Sequence, residues 1–311
     1  MVQLNPNAPP ILTVDDLVRE LEHLPSAPRV LPRLKLLLRD GNSSMHEVVD
    51  MVRLDPGIAA RVLQFGNSMY FSRGGLRCYT VEEAVNRVGY EQIYELVAAA
   101  VASQVLVRPL ETYAMDADDL WHRSIACALA AELLAEHTRA DRSVAYTIGL
   151  LHSIGMVAID DWARRNRPEL RFVSKGLPLE CCEAERSALG FHQAETGGAL
   201  LKLWDFPSVM AEPVRWQYLP GATAVHFQFS ALLHVAKWIR TAALNPTGPR
   251  PPSVSHLLGR MGIAPSQLEA MVGTVAARLR SIRVQLDVPE PATTLRFPGG
   301  DRAIPDPRQG T

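Results

Sequence analysis

Apolar residues recur at helical spacing from about residue 14 to about residue 286, while the strict alternation of a half-buried strand bounded by Asn-Gly or Asp-Gly turns is not evident. The pattern predicts an all-α protein. Several helix starts carry their own capping chemistry. Asp55-Pro56 places a capping carboxylate before a first-turn proline. Ser44-Met45-His46-Glu47 and Thr80-Val81-Glu82-Glu83 fit the capping box, in which a hydroxyl and a carboxylate satisfy each other's exposed backbone N–H groups.

Short helices fill residues 14–108, broken near Pro25, Gly41, Pro56, Asn67 and Gly74-Gly75, until Arg108-Pro109 and a polar stretch to Asp119 mark a subdomain boundary. Longer helices are expected at about 120–137, 143–164, 180–203, 207–218 and 224–244. A Pro-rich loop at 245–252 leads to a last amphipathic helix at about 266–284, and residues 285–311 read as a disordered tail. The expected organisation is an N-terminal helical subdomain, 14–108, followed by a second helical bundle, 112–284.

With 311 residues, 47% of them hydrophobic, the chain can bury a substantial core. Lys plus Arg number 32 against 33 Asp plus Glu, so a net charge of -1 supplies no global field for nucleic acid, which is not an expected partner. Cys78, Cys127, Cys181 and Cys182 lack the spacing of a zinc site, and reduced thiols are expected. Neither a signal-peptide pattern at the start nor a run of ~20 apolar residues is present, which predicts a cytoplasmic protein with no membrane partner.

The candidate chemistry lies in Leu150-Leu151-His152-Ser153-Ile154-Gly155. The segment resembles that of HD-type helical metallophosphohydrolases, in which an adjacent His and Asp grip a hard cation and the Asp supplies the anionic oxygen that holds it and its activated water. Here the second position is serine, neutral and a far weaker ligand. Neighbours on a regular helix point in different directions, so Ser153 and His152 are not expected to form a nucleophile-base pair either, and no Gly-x-Ser-x-Gly elbow surrounds them. The favoured reading of His152 is a satisfied core residue.

Further motifs give that pair a context. They are Leu24-Pro25-Ser26-Ala27-Pro28, Leu54-Asp55-Pro56-Gly57-Ile58, Gly66-Asn67-Ser68-Met69-Tyr70-Phe71 and Thr80 to Gly89, then Leu120-Trp121-His122-Arg123-Ser124, the His152 segment, Glu185 to Gly197, and Leu203-Trp204-Asp205-Phe206-Pro207. In this order they resemble the HD-related output domain, HDOD, a bacterial signalling module related to HD metallophosphohydrolases. The resemblance covers nearly the whole chain and implies a helical HDOD-type fold whose second half is an HD-like bundle.

Departures from the HD pattern are as informative as the match. Where related enzymes carry a histidine after the tryptophan, this chain has Arg123, with His122 one residue early and therefore turned by about 100° around a helix. Gln193 stands at another histidine position, with His192 again displaced by one; Gln217-Tyr218 replaces a His-His pair, and Lys237 replaces an aspartate. The resemblance thus implies a vestigial site at Arg123, His152, Ser153, Gln193, Gln217 and Lys237, with no catalytic residue, metal or cofactor.

It also implies a non-catalytic regulatory protein of bacterial signal transduction. Such a protein acts by contact with other signalling proteins, components of cyclic di-nucleotide pathways among the candidates. Two alternatives compete. A phosphohydrolase or cyclic di-nucleotide phosphodiesterase would assemble a metal from His122, His152 and His192 with Asp160, Asp161 or Glu195. A nucleotide-messenger sensor would hold phosphate with Arg123 and Lys237. Elsewhere, Trp204, Trp216 and Trp238 are expected to anchor the core or an interface, Asn67-Ser68 to satisfy a helix end, and the basic run from Arg164 to Arg171 to be a solvated helix terminus.

Overall fold

The computed structural model describes residues 12–20, 30, 34, 37, 43–72, 75–89, 92–93, 109–172, 178–222, 225–247 and 254–286. The first half contains α1 (Val14–Arg19), α2 (Met45–Arg53), α3 (Pro56–Asn67), α4 (Met69–Ser72) and α5 (Val81–Val88). The second contains α6 (Ala117–Thr138), α7 (Arg142–Leu151), α8 (Ile154–Asn166), α9 (Pro178–Leu189), α10 (Gln193–Leu203), α11 (Ser208–Arg215), α12 (Phe227–Leu244), α13 (Ser255–Met261) and α14 (Pro265–Leu286). The one β pairing among the described residues is the isolated bridge between Leu110 and Met115. The fold is all-α, as the hydrophobic period predicts.

Local chemistry starts these helices where the sequence places it. Ser44 Oγ accepts from the Glu47 amide while Glu47 accepts from the Ser44 amide at 2.7 Å, and Thr80 with Glu83 repeats the arrangement. Asp55 accepts from the Ile58 amide at 2.9 Å. Asn67 clamps Cys78 through its side-chain amide, Oδ1 accepting from the Cys78 N–H at 2.7 Å and Nδ2 donating to the Cys78 carbonyl at 3.2 Å. Ser68 satisfies the helix end as expected, its hydroxyl donating to the Phe65 carbonyl at 2.7 Å, whereas Asn67 ties that end to the segment before α5.

Helix α6 forms the centre of the second half and packs on α7, α12 and α14, while α8, α10 and α11 build a second wall. Helices α2, α3 and α5 form a layer of their own, but α1, although first in the chain, packs on α8 and α10. The N-terminal layer is pinned at the end of α2. Trp121 Nε1 donates to the Leu54 carbonyl at 2.8 Å, Tyr146 donates to the Arg53 carbonyl at 3.0 Å, and Glu132 binds both Arg53 (3.1 Å) and Arg278 (2.8 Å). Residues of four helices, α2, α6, α7 and α14, meet there.

The structure divides two of the expected helices. The segment expected as one helix at 143–164 is α7 and α8, broken at His152-Ser153, and that expected at 180–203 is α9 and α10, separated by Gly190 at φ +86°, a conformation that glycine adopts without a Cβ clash. Helix α13 follows the expected loop and precedes α14. The deeply buried tryptophans are Trp121 and Trp162, at 3% and 7% exposure, whereas Trp204, Trp216 and Trp238 are only half-buried. Together α7 and α8 are long and apolar enough to cross a membrane by composition, but 94% of that window is buried inside the protein, so it serves as core. The Leu24 to Pro28 motif, the breaks at Pro25, Gly41 and Gly74, the side chain of Cys181, and residues 287–311 of the expected tail lie outside the described residues.

Candidate functional site

The site is built around the break between α7 and α8. Ser153 has φ -99° and ψ 7°, outside the helix, and the carbonyl that the break releases at His152 accepts a hydrogen bond from Gln217 Nε2 at 3.0 Å. Close backbone approaches hold the two helices in place. A Cβ on Gly149 would stand 2.8 Å from Ala128 Cα in α6, and one on Gly155 would stand 1.8 Å from the Gln193 carbonyl oxygen at the start of α10.

At the break, His152 is 1% exposed and its ring is fully committed. Arg240 Nη1 lies 2.7 Å from His152 Nε2. Since arginine only donates, Nε2 accepts, and the ring proton must reside on Nδ1, which then donates to the Gly149 carbonyl at 2.7 Å. Ser153 Oγ lies 2.9 Å from the same Nε2, which corrects the expectation that the two side chains diverge. They meet because Ser153 sits in a turn, not on a regular helix. Burial, then the neighbouring Arg240 and Lys237 charges, hold the imidazole well below its usual basicity. His152 therefore contributes stability above pH 6.5 that is lost as pH falls and the unfolded chain takes up the proton.

All six positions that the resemblance singles out gather at this break. Gln217 reaches the His152 carbonyl; Gln193 Nε2 donates to the Tyr218 hydroxyl at 2.8 Å, and Lys237 Nζ rests 3.2 Å from the centre of the Tyr218 ring. Arg123, half-buried on α6, is close enough to lower the basicity of both His152 and Lys237. Burial, followed by Arg240, pushes Lys237 well below the usual lysine range.

The alternative histidines do not join. His122 is 1% exposed and packs edge-on against Trp121, its basicity lowered by burial and then by Arg283; neither ring nitrogen has a well-formed hydrogen bond, although the Asp118 backbone partly offsets the loss. His192 caps α10, its Nδ1 accepting from the Glu195 amide at 3.4 Å. The candidate carboxylates are spent elsewhere: Asp160 holds the Thr112 amide at 2.9 Å, Asp161 pairs with Arg165 at 2.9 Å, and Glu195 closes the His192 capping box. Among the described residues no three His, Cys, Asp or Glu side chains converge as a metal site. The donors at the break do not fit a divalent cation either, because the surviving imidazole is hydrogen-bonded at both nitrogens and cationic side chains surround it.

Two participants escape the sequence reading. Arg240 lies three residues beyond Lys237 on the same face of α12, and a charged residue within the apolar run from Leu232 to Ala243 is the signal that marks it. Glu185 is fully buried, accepting from the Tyr113 hydroxyl at 2.7 Å and from the Gln193 amide at 2.8 Å. Burial is the main cause that raises its carboxyl to about 7, with the two hydrogen bonds and Lys237 opposing it.

That shift has a definite sign. Between pH 4.5 and about 7 the folded protein holds a proton that the unfolded chain has released, so the group contributes stability at low pH that is lost as pH rises. The loss amounts to about 3 kcal/mol. Urea denaturation of the wild type against Glu185→Gln is expected to show curves that separate across this window, the variant losing less stability between pH 5 and 8. Parallel curves would remove Glu185 as their cause.

Fold and site together describe an all-α bundle in which amide and cationic side chains gather around one buried histidine. The chain belongs to the HDOD domain family, whose family model matches residues 24–220. It is similar in structure to the MmoQ response regulator of Methylococcus capsulatus (TM-score 0.64, 21% identity, 79% of this chain and 94% of that one). A virulence factor of Campylobacter jejuni is alike to the same degree (TM-score 0.64, 20% identity, 86% and 96% covered). An uncharacterised protein of Treponema pallidum is 24% identical over 207 residues, 65% of this chain but 39% of that protein's length. At these identities the structural likeness speaks to the fold.

Proposed function

We propose that this protein is a non-catalytic regulator in bacterial signal transduction, acting in the cytoplasm by contact with other signalling proteins. The observation that carries the reading is the Arg240 guanidinium on His152 Nε2 at 2.7 Å. An HD-type enzyme needs that lone pair for its metal, and here an internal cation holds it. The name of MmoQ as a response regulator supports a place in signalling.

The test pairs elemental analysis of untagged protein with turnover assays on nucleotides and cyclic di-nucleotides, followed by capture of partners from native cells in the presence of a chelator. Neither stoichiometric metal nor turnover is expected, and the same partner should be recovered with and without chelator. Metal-dependent turnover that disappears in His152→Ala would overturn the reading.

A single Ser153→Asp change is expected to leave the site without metal. The new carboxylate would lie beside Arg240, with Lys237 and Arg123 nearby, and an ion pair with an existing cation precedes the capture of an external one. Calorimetric titration with manganese is expected to be flat for both proteins; a stoichiometric heat for the variant would show that serine was the sole defect.

A further inference from the structure

Lys237 is the least satisfied group in the buried site. It is 5% exposed, its Nζ has no hydrogen-bond partner among the described residues, and it rests against the Tyr218 ring face. A ring face replaces only part of the hydration that an ammonium loses on burial. Arg240 stands one helical turn away, and Arg123 approaches from α6. Glu185, a buried carboxyl within reach of the Lys237 charge, already accepts from Tyr113 and from the Gln193 amide.

We propose that Lys237, with Arg123 and Arg240 beside it, binds a small inorganic oxyanion of the phosphate class at the position where HD enzymes hold a cation. The inference rests on the reading of this site as closed to metals. An oxyanion accepts hydrogen bonds from an ammonium and from guanidinium groups at once, and needs no donor displaced from His152. The closed surroundings favour a small ion over a nucleotide, since His152 and Arg240 are each 1% exposed. Half-buried Arg123 gives the cluster its outward side.

Two further atoms select among oxyanions. Gln193 Oε1 and Gln217 Oε1 are buried without a donor; the Gln193 amide contacts the Tyr218 hydroxyl, and the Gln217 amide sits on the His152 carbonyl. Monohydrogen phosphate carries a P–OH that can donate to such an oxygen, whereas sulfate does not. Phosphate is therefore the preferred ion.

Equilibrium dialysis of the full chain against labelled inorganic phosphate, at matched ionic strength, tests the site. One phosphate per chain is expected, with weaker sulfate binding and a melting point raised by about 5 °C at a hundredfold excess over Kd. Lys237→Met is expected to lose at least about tenfold in affinity, the loss of one charge-assisted hydrogen bond. Arg123→Gln serves if that variant does not fold, and the exposed Arg280→Gln should bind as wild type. Absence of saturable phosphate binding, or equal binding by Lys237→Met and Arg123→Gln, overturns the proposal. Manganese in a parallel chamber separates the failures: bound manganese overturns the metal-excluded reading beneath it, whereas neither ion bound overturns the oxyanion site alone.

Discussion

Gly155→Ala is expected to destabilise the protein by about 3 kcal/mol or more, near the upper end of the cost of overpacking a core. The added Cβ would stand 1.8 Å from the Gln193 carbonyl oxygen and 2.7 Å from the Gly197 nitrogen. Both are backbone atoms, so no rotamer change relieves the clash, and α8 must separate from α10. That separation would also open the break at His152, whose geometry depends on the same approach. Gly273→Ala, at an exposed position of α14, is the matched control. Nothing lies within 4 Å of a Cβ there, and the same substitution should stabilise by up to about 1 kcal/mol through helix propensity. Urea denaturation of the two variants checks both signs, and a Gly155→Ala protein as stable as wild type would show that the helices have room to part.

The second large effect is expected at Glu132. Its carboxylate, with a side chain 10% exposed, bridges Arg53 at the end of α2 and Arg278 on α14. Removing one member of a fully buried ion pair costs about 3–5 kcal/mol, because the charge left behind has lost its water and its partner. Here the arginines are 30% and 41% exposed, so they recover part of their hydration, and about 2–3 kcal/mol is expected for Glu132→Ala. Glu132→Gln should cost less, since its amide oxygen still accepts from one guanidinium. The informative readout is hydrogen exchange. Amides of α2, α3 and α5 should lose protection before those of α6, because Glu132 joins that layer to the bundle. Uniform loss across the chain would show that Trp121 and Tyr146 suffice to hold the layer.

Much of this architecture is legible in the residues alone, because helix period and capping act over three or four positions. Asp55, Ser44 and Thr80 announce their helices, and each makes the bond that its spacing predicts. Motif order also leads to the family and to the six positions that gather at the break. The break itself is not legible. The run from Val144 to Trp162 is apolar enough to read as one helix, and the groups that interrupt it lie 65 residues away at Gln217 and 88 residues away at Arg240. Half-burial of Trp204, Trp216 and Trp238 escapes for the same reason, since spacing says which face of a helix is apolar but not how deeply that face is covered.

The sequence by itself determined the all-α class, the helix starts and the family, and its resemblance singled out Arg123, Ser153, Gln193, Gln217 and Lys237 as positions to examine. These follow from residue identity and from interactions between near neighbours. Only the tertiary structure decided how those positions meet. It turned Ser153 onto His152, drew the Arg240 guanidinium onto the one lone pair that a metal would need, and buried Glu185 between Tyr113 and Gln193. Such outcomes depend on which distant backbones can approach and which buried polar groups must then satisfy one another, and that is settled by packing in three dimensions.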